Sequence, residues 1–214
     1  KIIVKKKQYK SEENPNKPNT DPLPEPEKEL PFTDVKKSDW SYKAIKYMYG
    51  NKYISGTTST TFSPKMKLTR GMLVTILHNM EGKPNVSGKS KFPDVQNTNE
   101  YYYSAVKWAS KNNIVNGYNN GKFGPNDPIT REQLAVMLNQ YSIYKGTYKK
   151  TNADFTKFSD SNKISDFAKW GMNWAVGTGV ITGTTEKTLI PQGTASREEA
   201  AAMIYKYFLS LKNS

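Results

Sequence analysis

The sequence predicts a mainly all-α fold: three helix-loop-helix units about a pseudo-threefold axis, preceded by a Pro-rich linker. Three observations carry this prediction. Leu68-Thr69-Arg70 returns as Ile129-Thr130-Arg131 and again as Ala195-Ser196-Arg197. A glycine (Gly56, Gly117, Gly183) stands 14 residues before each Arg, and an aromatic (Trp40, Tyr101, Phe167) 16 residues before each glycine, without insertion. After each Arg runs an i, i+3, i+4, i+7 apolar stripe, the mark of a half-buried helix. Repeats of this size cannot bury their stripes alone, so three stripes must meet in one core.

Residues 1–10 set Ile2, Ile3 and Val4 among lysines and read as the end of a preceding domain or a frayed terminus. Residues 11–31 hold Pro15, Pro18, Pro22, Pro24, Pro26 and Pro31 among Glu, Asn and Lys, the composition of a semi-stiff linker. The chain opens at Lys1 with neither Met nor a signal-like apolar segment, which predicts a piece of a longer protein with cargo upstream. The repeats span 32–81, 92–144 and 158–211, forming one cooperative module.

Each repeat opens on Phe-x-Asp (Phe32, Phe92 and Phe158 with Asp34, Asp94 and Asp160). A first helix follows, with one apolar face formed by Ala44, Ile45 and Met48, by Ala105, Val106 and Ala109, and by Gly171, Met172 and Ala175. Tyr47, Trp108 and Trp174 align beside it and are assigned to the core. A left-handed turn at Tyr53, Asn113 and Gly179 is expected to close it. Next come a β-branched piece ending in the loop glycine and a Phe62-x-Pro64, Phe123-x-Pro125 or Leu189-x-Pro191 segment. Thr69, Thr130 and Ser196 are then placed as N-caps of the second helix, with capping boxes completed by Gln133 and Glu199 but not by Met72.

Cysteine is absent, which excludes disulfides and thiolate metal sites. The net charge is +13, of which residues 1–31 contribute +1, so the basic character belongs to the repeats and points to an acidic partner. Among 32 basic side chains only Arg70, Arg131 and Arg197 are guanidinium groups. Lys and Arg serve solubility equally well, so Arg at three equivalent places argues for its planar fork, which suits a carboxylate or phosphate. At a helix start, an anion would also meet free backbone N–H groups.

The order Phe-x-Asp, aromatic, Ile-x-Gly, Phe-x-Pro, Thr-Arg resembles the S-layer homology module in three tandem copies, over about 32–211. The resemblance implies a central three-helix bundle and non-covalent anchoring of exported proteins at the bacterial cell wall, extracellularly. The implied partner is an acidic secondary cell-wall polysaccharide bearing a pyruvate ketal, held in grooves between repeats; no cofactor or metal is implied. Carried over, Arg70, Arg131 and Arg197 contact the carboxylate. Gly56, Gly117 and Gly183 let the sugar approach, and Thr69, Thr130 and Ser196 belong to the arginine motif. Trp40 and Tyr101 either stack on sugar or pack inside, while Phe167 is assigned to the core. Gly71-Met72 departs from the family's usual Ala-Glu, which makes the first groove the weakest match.

Catalysis finds little footing: His78 is the single histidine and falls on an apolar helix face, with no triad order or carboxylate pair at a useful spacing. Three isolated arginines do not make a groove-reading element, so nucleic acid is a lesser alternative. Peptidoglycan remains a possible polymer of the same surface. Asn119, Asn120 and Asp127 supply one carboxylate, fitting a turn better than a calcium loop. No apolar run is long enough to insert in a membrane.

Overall fold

Each second helix begins at its arginine because the residue before it caps. The computed structural model describes residues 23, 26, 29–183 and 187–212; the expected end of a preceding domain (1–10) lies outside them, as does most of the linker. The helices are α1 Tyr42–Gly50, α2 Arg70–Met80, α3 Tyr103–Lys111, α4 Arg131–Tyr144, α5 Lys169–Gly177 and α6 Arg197–Lys212. Short 3₁₀ turns at Ser161–Lys163 and Asp166–Ala168 lead into α5. No strand is formed among the described residues, and no helix there is long and apolar enough to cross a membrane.

The caps match expectation. Thr69 Oγ1 accepts from Met72 N, Thr130 closes a full box with Gln133, and Ser196 closes one with Glu199. The left-handed exits of the first helices fall at Lys52, Asn113 and Gly179. Lys52 takes the place expected of Tyr53, since the residue four before the loop glycine is Lys52 in the first copy. Tyr53 instead stacks on Phe208.

Helix pairing runs between repeats. α2 packs on α3, α4 on α5, and α6 returns to α1, so the last helix closes a ring on the first. At the axis the residues before the caps bond in a cycle: Leu68 N to Ala195 O, Ala195 N to Ile129 O, and Ile129 N to Leu68 O, each at 2.9 Å. All three side chains are fully buried. At the opposite end the Tyr141 and Tyr207 rings meet at 6.0 Å, and Tyr141 Oη donates to Glu81 just past α2. The second helices are thereby joined at both ends around the shared core.

Three aspartates hold the loops. Asp34 accepts from Phe62 N and Ser63 N, Asp94 from Phe123 N and Gly124 N, and Asp160 from Leu189 N and Ile190 N, all at 2.7–2.9 Å. Burial alone would raise the Asp160 carboxyl, but the Leu189 and Ile190 N–H bonds outweigh it and hold it below the ordinary aspartate value. The second loop residue is left-handed in every copy (Ser63, Gly124, Ile190), a conformation costly for β-branched Ile190. Leu23 of the expected linker is buried and Leu30 packs against the core, with Tyr42 Oη donating to Glu29.

Candidate ligand grooves

The arginines are buried, at 4–6% exposure, and they join neighbouring repeats. Arg70 Nε donates to Phe123 O (2.8 Å), Arg131 Nε to Leu189 O (2.9 Å), and Arg197 Nε to Phe62 O (2.9 Å). Each loop is therefore held by its own repeat's aspartate through N–H groups and by the preceding repeat's arginine through the carbonyl. Burial pushes all three guanidinium groups down from their ordinary value, yet a group that starts so high remains charged at neutral pH.

The helix starts do not offer free N–H groups. Arg70 N donates to Asp127 O, Arg131 N to Gly193 O, and Arg197 N to Met66 O. Gly71, Glu132 and Glu198 N donate to Pro125, Pro191 and Pro64 O, and the cap hydroxyls take the third N–H. Inter-repeat loops thus absorb the donors expected to meet an anion. What an anion can reach is the outer edge of each guanidinium.

Those edges differ. Arg70 stacks on Tyr118 (4.4 Å) and Phe123 (4.8 Å), and among the described residues its Nη1 and Nη2 have no hydrogen-bond partner. Arg131 Nη1 reaches Glu199 Oε1 at 3.3 Å. Arg197 stacks on Phe62 at 4.5 Å and gives Nη2 to Ser55 O at 2.6 Å.

Arg70 and Arg131 each line a groove, and Arg197 lines neither. One, of about 580 Å³, brings together Arg70 from the first repeat, Gly117, Tyr118 and Gln133 from the second, and Phe167 from the third. The other, of about 680 Å³, joins Arg131, Gly183, Glu199 and Lys206 to Trp40 and Lys65 of the first repeat. Each draws on all three repeats. Phe167 is 61% exposed and lines the Arg70 groove, correcting its assignment to the core: it precedes α5 on a 3₁₀ turn that lifts it out of the apolar face. Trp40 and Tyr101 are likewise exposed, at 62% and 55%.

The glycines have an internal reason. A Cβ on Gly56 would lie 2.4 Å from the Phe32 ring, and one on Gly117 2.6 Å from the Phe92 ring; Gly117 and Gly183 also have positive φ. Ser196 lines the Arg131 groove, and Thr69 and Thr130 act as caps. Gly71 does not face a groove: an added Cβ would lie 2.7 Å from Pro125 O, the carbonyl that accepts from Gly71 N, and 3.2 Å from Tyr102 Cδ1. Where glutamate stands instead, a serine faces it: Ser41 bonds Glu198, which also pairs with Lys65, and Ser165 bonds Glu132.

Tyr118, Gln133, Glu199 and Lys206 are groove residues that motif reading passed over. Tyr118 follows the loop glycine directly. Gln133 and Glu199 share the third position of their helices, where Met72 stands in the first copy, so aligned positions that differ were the available signal. Burial and nearby Arg131 push the Lys206 ammonium down, and its Nζ donates to Thr182 Oγ1. His78 is packed against Trp108 with Nε2 on Pro84 O, as its apolar setting predicted. Asn120 Oδ1 accepts from Lys122 N in a turn, matching the turn reading of that loop.

Comparison with known proteins agrees with this architecture. The S-layer homology domain matches residues 31–71, 91–135 and 157–201. The chain is 34% identical over 82% of its length to an endoglucanase of Bacillus sp. (strain KSM-635), covering 18% of that protein. It is 31% identical over 78% of its length to the surface-layer 125 kDa protein of Lysinibacillus sphaericus, covering 14% of it. It is 24% identical over 71% to a cellulosome-anchoring protein of Acetivibrio thermocellus, covering 34% of it. The chain thus spans between about a seventh and a third of these relatives. With three matched segments falling on three structural repeats, the chain belongs to the S-layer homology domain family.

Proposed function

We propose that the chain is a non-catalytic anchor that grips a pyruvylated secondary cell-wall polysaccharide through Arg–carboxylate contacts and tethers an exported protein to the bacterial surface. Family membership makes it a cell-surface anchoring module. The observation that carries the finer reading is Arg70. Its Nε is fixed on Phe123 O and its plane on Tyr118, leaving the two terminal nitrogens for an end-on, bidentate carboxylate in a groove with an exposed aromatic. The ring of Phe167 suits the apolar face of a sugar. Weak grooves on one rigid module would add by multivalency. The cargo reading draws on relatives such as the endoglucanase, of which this module covers a small share.

The test is sedimentation with purified cell-wall sacculi before and after the secondary polysaccharide is stripped. Binding should be lost on stripping; retention would transfer the reading to peptidoglycan. Arg70→Lys should weaken binding about tenfold, the equivalent of one charge-assisted hydrogen bond, because an ammonium cannot present two parallel N–H donors.

A further inference from the structure

A cleft of about 310 Å³ adjoins the Arg131 groove, and Trp40 lines both. Leu23 and Pro26 of the expected linker meet Lys43, Lys46 and Tyr47 of α1 and Tyr205 of α6 there. The linker is firmly seated. Leu23 is buried, and a Cβ added to Gly50 would lie 2.2 Å from the Pro26 ring. Glu29 accepts from Tyr42 Oη (2.8 Å) and from Lys37 Nζ (3.3 Å), both of which line the cleft. The Tyr47 and Tyr205 rings meet at 5.3 Å.

The charge of the cleft is one-sided. Lys37, Lys43 and Lys46 line it against a single carboxylate, Asp39, which already accepts from Lys36 N at 2.8 Å. Lys37 is engaged by Glu29, whereas Lys43 has no carboxylate partner among the described residues. Neither lysine belongs to the repeated pattern. Counted from the aligned aromatic, Lys37 is replaced by Thr98 and Ile164, and Lys43 by Ser104 and Trp170. The shared core and the arginine clasp therefore give no reason for them.

We propose that this cleft is a second subsite of the Arg131 groove, taking the sugar unit next along the same acidic polymer. Trp40 is 62% exposed and common to both sites, so a polymer held at Arg131 that crosses the indole arrives among tyrosines and lysines. The rings suit the apolar face of a sugar, and the ammonium groups favour an acidic substituent on it. The volume lies at the lower end of the small-ligand range, which suits one sugar unit and excludes a folded partner. Leu23 and Pro26 line this subsite and neither arginine groove. The linker thus takes part in gripping the wall as well as in spacing what is tethered to it.

This inference rests on the acidic-polysaccharide reading, and the experiment separates the two. A pyruvylated N-acetylhexosamine methyl glycoside, and oligosaccharides released from the secondary polysaccharide with that unit at their end, are titrated into the whole chain. The same titrations are run on its Lys43→Gln and Gly50→Gln variants, with thermal unfolding alongside. Gly50 lines neither the cleft nor an arginine groove, and its new Cβ would displace Pro26. Acetylation of Lys43 is followed by peptide mass spectrometry. The oligosaccharide should bind the unaltered chain about tenfold more tightly than the single unit, and it alone should slow Lys43 acetylation. Both variants should bring the two affinities to within about twofold of each other. A length advantage that survives both exchanges, or an unaltered chain without one, would overturn this inference and leave the anchoring function standing. Failure of the unaltered chain to bind either probe would overturn both.

Discussion

Around the axis the three copies repeat bond for bond, whereas in the grooves they diverge. The cycle through Leu68, Ala195 and Ile129 and the aspartate–loop–arginine clasp recur with every bond between 2.7 and 2.9 Å. On the outer edge of the same arginines, one fork is open, one is paired with Glu199, and one is spent on Ser55 O. A single guanidinium thus serves two ends: its inner nitrogen closes the fold, and its terminal nitrogens are left to vary. Repetition of Arg70, Arg131 and Arg197 is accounted for by folding alone, and binding depends on what surrounds them.

Breaking the shared side should cost most. Arg197→Ala removes two hydrogen bonds from a charged donor and the stacking on Phe62, and it opens the contact by which the third repeat returns to the first. A loss of about 3 kcal/mol is expected, lowering the midpoint in a thermal melt by roughly 6–12 °C. A melt within a degree or two of the parent would mean that the clasp contributes little.

Asp160→Asn comes next, because an amide cannot accept both Leu189 N and Ile190 N; a cost of about 2 kcal/mol is expected from denaturant titration. The folded carboxyl sits below its ordinary 3.8, so its stabilisation is complete above that value and is lost as pH falls through the depressed folded one. The parent should therefore shed this contribution on acidification, and the variant should show a shallower acid limb. Parallel acid limbs in the two proteins would refute the assignment.

The smallest effect sharpens the difference between copies. Gly71→Glu should cost about 1–3 kcal/mol by crowding the Pro125 carbonyl and Tyr102, and adding Tyr102→Ser should recover the Tyr102 part by recreating the Glu198–Ser41 pairing of α6 with the first repeat. Additive penalties in the double variant would show that the two positions are uncoupled.

Much of this architecture was readable in the chain. Constant spacing from aromatic to glycine to arginine located six helices, and Thr130 with Gln133 announced its capping box, because these depend on residues close in sequence. The aromatic before α5 was harder to place. Phe167 is the least polar of its set, and composition favoured the core, but exposure is decided by the 3₁₀ turn that precedes the helix. The helix starts misled for a related reason. Their N–H groups look free until a loop some fifty to one hundred and thirty residues away is brought against them.

By itself the sequence determined the repeat, the positions of the caps, the single use of arginine at each helix start and the family. The tertiary structure alone decided that each repeat's arginine closes its neighbour's loop, that each groove draws on three repeats, and that only Arg70 keeps its fork open among the described residues. The physical reason is that caps and apolar stripes arise from neighbours within a turn or two. A buried charge takes whatever acceptor the closed ring brings within 3 Å, and no spacing along the chain specifies that.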